Sequence, residues 1–542
     1  MNAIAPQTQK FLLSTLTAPA WKTIGVRHHH GINVPLFSLH TKNSAGLGEF
    51  LDLKPVIDWC NKIGFDTIQI LPINDTGPEA SPYSAISAFA LNPLHISLSA
   101  LPGIESHDDL LAILTELQSS TQKQRIDYPA LHVKRIEFLH LYYQYVYPTE
   151  SQKEDYHNFM KENGWLQNYA LFKTIKVIRE WQPWGKWPQE LRCPSPEDLD
   201  RLFSEYKTQI TYHVFLQYLC FKQFDEVRKY ARSKGVFLKG DIPILISKES
   251  ADVWFNRNLF LFDLTAGAPP DMYSKEGQNW EFPLYNWPEM EKQGYAWWQQ
   301  RLSLASSLYD LFRIDHIVGF FRIWAIPLGK KGVDGKFSPE DENEWIELGT
   351  DNLTAMLQNC PMLPIGEDLG VVPSKVRQCL KKLGICGTKV IRWERNWKGD
   401  KSFINIHDYI PESMTTVSTH DSETLQQWWK NHPDESLEYA QFKNWEYSPT
   451  MTPEQHLDIL KDSHHSTSTF HINLLNEYLA LIPNMTWPNL EDERINDPAI
   501  QSNKNWTYRF RPSFEEIAQN QDLEKLMKTI TTKNLPQRKL QR

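Results

Sequence analysis

The chain has 542 residues, 41% hydrophobic and 23% charged, a balance that suits one large folded domain with insertions. Its 57 basic and 66 acidic residues leave a net charge of −9, so composition makes no electrostatic case for a nucleic-acid partner. No run approaches the roughly 20 apolar residues of a membrane span, and FLLSTLT (11–17) is too short and broken for a secretory leader, so no membrane partner is expected. Six cysteines (60, 193, 220, 360, 379 and 386) show neither a CxxC pair nor a disulfide rhythm, which favours a reducing, cytoplasmic setting.

In chain order, residues 1–20 are expected to be a disordered lead-in. The histidines at 28–30 read as a polar loop, because adjacent histidines cannot converge on one ion and no HExxH or spaced partner accompanies them. GINVPLFSL (31–39) reads as a buried strand, GLGEF (46–50) as a turn and helix cap, and TIQILPI (67–73) as a second strand. Strand, helix and strand within about 35 residues argue a βα unit and a parallel sheet. Residues 101–205 are helical, charged and rich in Trp and Tyr, a helical insertion riding on the sheet. A long helix over 206–234 leads to a third strand, VFLKGDIPILI (236–246), carrying Asp241. Pro, Gly and aromatic residues with few periodic runs make 247–290 an extended loop subdomain over one face.

An amphipathic helix at 295–310 feeds a strand ending at Asp315, and further strands lie at 363–369, 388–394 and 415–421. An eighth strand falls within 465–510, with His464 and His465 in a Ser/Thr-rich loop before it. Residues 21–542 are thus read as a single α/β domain, a (β/α)8 TIM barrel with large helical insertions between barrel strands.

Three stretches carry the chemistry. LFRIDHIVGF, LPIGEDLGVV and TTVSTHDSET each break from an apolar run into a carboxylate, at Asp315, Glu367 and Asp421, separated by 52 and 54 positions. Acids at the C-terminal ends of parallel strands are where such a barrel places its catalytic groups. Paired acids held close together cleave glycosidic bonds with retention. Arg313 leaves the same strand face as Asp315 and is expected to keep it ionised. Asp368, next to Glu367, is expected to raise the Glu367 pKa as an acid/base needs. His420 precedes Asp421, a third acid suited to clamping sugar hydroxyls. Aromatics are abundant (20 Trp, 21 Tyr, 26 Phe), often in polar company as in GQNWEFPLYNW (277–287), which suits the apolar faces of sugars.

With PLFSLHTKNSAGLGEF, SPYSAISAFALNP, GDIPILISKESADVW, APPDMYSKEGQNW, RIDHIVGF, GEDLG and THDSETL all present in order, the chain resembles the 4-α-glucanotransferases of the amylomaltase, or disproportionating-enzyme, family. The resemblance runs from Trp21 to Arg509 and is closest to the plant cytosolic, maltose-using type, without room for that type's starch-binding modules. It implies Asp315 as nucleophile, Glu367 as general acid/base and Asp421 as transition-state stabiliser. It also implies Arg313, His420 and Tyr83 around the cleaved sugar, Asp241 in support, and Asp271, Gln278 and Trp280 along the donor and acceptor subsites. Maltose, malto-oligosaccharides and α-1,4-glucans are the implied substrates, with no metal and no cofactor. Three positions depart from the common bacterial pattern: Val318 replaces an Arg that reappears at Arg322, Met272 an aromatic, and Glu281 a Gly. The same acids would equally serve an α-amylase-like hydrolase, and a silent glucan-binding protein is the reading from outside enzymology.

Overall fold

Among the described residues twelve strands organise the chain: β1 His29–Asn33, β2 Thr67–Gln69, β3 Phe237–Ile242, β4 Phe260–Ala268, β5 Gln278–Tyr285, β6 Leu311–Ile314, β7 Ile323–Pro327, β8 Lys336–Ser338, β9 Leu363–Gly366, β10 Gly387–Val390, β11 Ser413–Thr416 and β12 Phe470–Leu474. The computed structural model describes residues 4–270, 275–500 and 502–532. Eight strands form a parallel sheet in the order β10-β11-β12-β1-β2-β3-β6-β9. Its two ends meet through a parallel bridge between Ile365 and Cys386, where Gly366 N–H donates to the Cys386 carbonyl at 2.8 Å. The seam is held by Asp368, which accepts from Thr388 N–H at 2.7 Å and from Arg377 at 2.9 Å. A Cβ at Gly387 would sit 2.6 Å from that carboxylate, so the close approach requires glycine. The fold is a closed (β/α)8 barrel.

Sequence and structure differ at three places in this frame. The first strand begins at His29, inside the stretch read as a polar loop, and ends at Asn33; residues 36–38 form a 3₁₀ turn. The eighth strand, β12, lies within its expected window, but its HIN core interrupts the apolar run a strand search relies on. His464 and His465 end the helix Pro453–His465 instead of lying in a loop. Residues 247–290 do not form an extended loop. They supply β4 and β5, which join β7 and β8 in a four-stranded antiparallel sheet. Register shifts between Leu261 and Thr265 and between Thr265 and Gly267 break the alternation that would have revealed β4.

The N-terminal segment, expected to be disordered, is helical over Pro6–Leu12 and Ala18–Ile24. Leu12, Trp21 and Ile24 are buried against Leu311, Leu363, Ile365, Met414 and Phe470, several of them first residues of barrel strands. The segment therefore plugs the N-terminal end of the barrel. Trp21 Nε1 and Thr17 Oγ1 both donate to the Gly384 carbonyl, at 3.0 and 2.9 Å. Trp21→Ala is expected to cost about 3–5 kcal/mol, read as a lowered urea midpoint; a loss below about 1 kcal/mol would mean the plug does not seal the core.

Between β2 and β3 run the helices Asp108–Ser119, Tyr128–Glu150, Glu154–Glu162, Leu166–Ile178 and Pro196–Glu205. The helices Tyr128–Glu150 and Glu154–Glu162 pack on the long helix Lys207–Ser233 through a lattice of rings, Tyr143, Tyr147 and Tyr156 around Phe215, and Phe159 against Tyr218 and Phe221. Much of the aromatic excess is therefore core.

The histidine run joins a buried cluster on the outer face of β1. His30 and its register partner His471 stack at 4.8 Å, and His30 Nδ1 lies 2.8 Å from His464 Nδ1. His464 Nε2 meets the Tyr478 hydroxyl at 2.6 Å, and His28 Nδ1 lies 3.1 Å from His471 Nε2. Burial first, and then neighbouring histidines, hold His30 and His471 well below the usual imidazole value and His464 down to about 3. These rings stay neutral in the fold but bind protons near pH 6.5 once unfolded, so stability is full above pH 6.5 and falls as pH drops below it. Three such sites give a slope approaching about 4 kcal/mol per pH unit below about pH 5.5. The melting temperature should decline steeply from pH 6.5 to 5; a flat profile there would contradict neutral burial.

Candidate active site

Each acid singled out in the sequence sits at or beyond the C-terminal end of a barrel strand. Asp241 lies within β3, Asp315 follows β6, Glu367 follows β9, and Asp421 stands five residues past β11. Parallel strand ends deliver these side chains to one mouth. Arg313 ties them together. Its Nη1 donates to both Asp241 oxygens, at 2.9 and 2.8 Å. Its Nη2 donates to Glu367 Oε2 at 2.7 Å and Asp315 Oδ1 at 2.8 Å. Two oxygens on one nitrogen cannot be farther apart than those bonds laid end to end. That matches the roughly 5 Å separation of retaining carboxyl pairs and is too short for inverting ones.

The network continues through Tyr83. Its hydroxyl donates to Asp241 Oδ2 at 2.9 Å and meets His420 Nε2 at 2.9 Å, with the two rings stacked at 5.5 Å. His420 Nε2 lies 3.2 Å from Asp421 Oδ2. Seven residues named from the sequence, Tyr83, Asp241, Arg313, Asp315, Glu367, His420 and Asp421, thus form one connected group. Trp280 reaches its edge, set at right angles to His316 at 5.1 Å, and Gln278 accepts from Trp280 Nε1 at 2.9 Å. Asp271 and Met272 lie outside the described residues.

Sequence reasoning missed three contributors. Asn496, in RINDP, donates to Asp421 Oδ1 at 2.6 Å, and its own N–H donates to the His420 carbonyl at 3.1 Å. Trp506 packs on Tyr83 and His420 at 5.5 and 5.9 Å. Both come from a C-terminal segment folded back across the mouth, and the RINDP and NWTYR motifs that carry them were the available signal. His316 takes a left-handed backbone, φ 42°, which turns its N–H onto Glu367 Oε2 at 2.9 Å. Of the departures, Arg322 does not enter the site; it lies over the Phe337 and Trp345 rings at 3.9 and 5.2 Å. Glu281 stands at φ 62°, a left-handed conformation that suits the glycine it replaces.

The protonation pattern reverses the expectation. Burial, with the charges of Glu367 and Asp241 adding to it, outweighs Arg313 and pushes Asp315 up to about 8. Burial also acts on Glu367, but Arg313 and the His316 N–H outweigh it and lower the pKa. Asp368 is spent on the barrel seam, so the neighbouring acid that matters is Asp315. The two carboxyls titrate as a pair holding one proton, which rests on the group with fewer donors. Glu367 Oε2 already accepts two hydrogen bonds, so that group is Asp315. Burial opposes ionisation of Asp421 as well, yet His420 and Asn496 bring it down to about 2, while His420 is raised by Asp421. Beneath this layer Lys239 is fully buried with Gln69 Oε1 at 2.6 Å, and burial lowers it to about 7.

Comparison with known proteins agrees with this geometry. The family model described as 4-alpha-glucanotransferase matches residues 34–515. A 4-alpha-glucanotransferase of Chlamydia pneumoniae is 46% identical over 513 residues, 94% of this chain and 96% of the relative. The 4-alpha-glucanotransferase DPE2 of Oryza sativa subsp. japonica is 26% identical, covering 93% of this chain and 69% of its own. Among solved structures, an amylomaltase from Streptococcus agalactiae in complex with acarbose superposes with a TM-score of 0.80 at 24% identity, covering 93% of this chain and 99% of that one, a likeness of fold. With the barrel and its acid cluster, the match across nearly the whole chain makes this protein an enzyme of the 4-alpha-glucanotransferase family.

Proposed function

We propose that the enzyme transfers glucosyl or longer 4-α-glucanyl units from maltose and malto-oligosaccharides to glucose or a glycogen-type glucan, by double displacement. The observation that carries this reading is the single Arg313 nitrogen shared by Asp315 and Glu367. In the first step Asp315 forms a bond to the anomeric carbon as the glycosidic C–O bond breaks, and Glu367 gives its proton to the leaving oxygen. In the second, an acceptor 4-hydroxyl loses its proton to Glu367 and attacks the same carbon, freeing Asp315. The pair's one proton must pass from Asp315 to Glu367 when the sugar binds. Positive charge growing at the anomeric carbon favours the Asp315 anion, which drives the proton that way. Asp421, ionised and held by Asn496 and His420, is suited to grip sugar hydroxyls as the ring flattens.

Transfer over hydrolysis calls for a bound acceptor and poorly placed water. Trp506 on one side and Trp280 on the other are the rings available to shield the mouth. Product analysis with maltose alone, then with glycogen added, tests the reading. Longer oligosaccharides with no net gain in reducing ends are expected. A rise in reducing ends would favour the hydrolase, and no reaction the silent binder.

The kcat/KM profile should be bell-shaped. The upper limb falls near pH 8 as the pair loses its last proton and no acid remains. The lower limb falls below pH 4.5 as Glu367 and then Asp421 take protons. An upper limb beyond about pH 9.5 would contradict the shared proton.

A further inference from the structure

A cavity of about 1340 Å³ lies outside the barrel mouth. It is a trough bounded by the helix Glu154–Glu162, the long helix Lys207–Ser233, the short helix Ala251–Phe255 and the helix Ala296–Leu308. None of the residues assembled at the active site lines it. Its volume exceeds the roughly 300–1,000 Å³ of a pocket for one small ligand and suits a length of chain.

The lining has two components. A row of rings runs along the floor: Phe89 to Trp165 at 5.9 Å, Trp165 to Phe221 at 5.9 Å, and Phe221 to Phe159 at 5.5 Å. Trp165, Phe221 and Phe159 are each only partly buried. Above them stand exposed amides, and the side chains of Asn158, Asn168, Gln299 and Gln300 make no hydrogen bond among the described residues. The cations on the rim are already engaged, Lys229 with Asp225 at 2.6 Å and Lys222 with the Tyr218 hydroxyl at 3.1 Å. Buried Asp252 is satisfied by Ala88 N–H and Trp297 Nε1, at 2.8 and 3.0 Å.

These features select the ligand class. A polyanion would need unpaired cations, and a purely apolar ligand would strip water from four amides without replacing their hydrogen bonds. Asp155 and Glu162 stand exposed on the rim without an ion pair among the described residues, which further disfavours an anion, and flat partly exposed rings beside free amides suit a chain with alternating C–H faces and hydroxyls. We infer that this trough is a second, non-catalytic site for an α-1,4-glucan segment, holding a polymeric substrate on the barrel's outer wall. The inference rests on the glucan-transfer reading above. The floor at Ser87 and Phe89 belongs to the same segment that carries Tyr83 to the active site.

Two measurements on the full chain test it. Ser303 is exposed on the trough wall, so Ser303→Trp fills the trough without removing a packed group. Maltoheptaose titrated calorimetrically into Asp315→Asn, which binds without turning over, should report two sites, and Asp315→Asn/Ser303→Trp one. A single site in the first chain, or two in both, overturns the inference. In the otherwise native chain, Ser303→Trp should weaken retention on glycogen-containing gels about tenfold while the rate with maltose stays within twofold. Unchanged retention overturns the trough site, and so does a change of oligomeric state, which would make the trough an interface between copies. Absence of transfer from maltose in the native chain would instead remove the proposed function.

Discussion

Asp315→Asn is expected to lower transfer from maltose by at least about 10⁴-fold, the scale on which losing a covalent nucleophile is felt. The amide cannot form the glycosyl ester, and the loss should appear in kcat more than in KM, because the proposed double displacement has Asp315 act on the anomeric carbon and not on remote hydroxyls. Glu367→Gln separates the two half-reactions. A donor with a good leaving group, such as maltosyl fluoride, needs no proton, so the first step should return to within about tenfold of the native rate, while transfer to a sugar hydroxyl stays slow. Mass spectrometry of the quenched Glu367→Gln reaction should then find the chain carrying a maltosyl mass. An Asp315→Asn enzyme with near-native turnover would sink the assignment, as would equal losses with maltose and maltosyl fluoride in Glu367→Gln.

Arg313→Met should be the most damaging change that removes no acid. The guanidinium is buried and bonds Asp241, Asp315 and Glu367 at once, the one cation facing their charge in this network. Taking away one partner of a buried ion pair costs about 3–5 kcal/mol, because the remaining charge is left without compensation. The abandoned carboxyls regain part of this by binding protons. Their pKa values rise in the folded variant and stay ordinary in the unfolded chain, so the variant binds more protons folded than unfolded and its deficit grows with pH. Urea midpoints at pH 5 and pH 8 should therefore diverge, with the larger loss at pH 8. Activity should fall at least about 10³-fold, since both halves of the carboxyl pair lose the donor that spaces them. Arg313→Lys should recover stability in part and activity little, as an ammonium cannot fork to Asp241 and the pair together. A variant within about 1 kcal/mol of the native protein at pH 8 would show that the network carries no strain of charge.

Residues 315, 367 and 421 were legible because each is a carboxylate ending an apolar run, and runs of that kind survive as β6, β9 and β11 whatever surrounds them. The same logic located Arg313, two residues upstream on the same face, and the helical insertion. It failed where local pattern and tertiary role part company. His28–His30 look like loop and enter a strand, because a buried neutral cluster with His464 and His471 satisfies polar rings that no local signal pairs. The lead-in helices look dispensable and instead plug the barrel.

The order of apolar runs and acids along the chain was sufficient for the barrel and for the acids that gather at its mouth, since strand periodicity and the handed βα connection are local properties. Which acid holds the proton could not be read that way. It depends on burial and on donors brought from distant strands: Arg313 from β6 and the His316 N–H onto Glu367, and Asn496 onto Asp421 across 75 residues. Coulomb and hydrogen-bond energies follow distance in space, and only the closed barrel sets those distances.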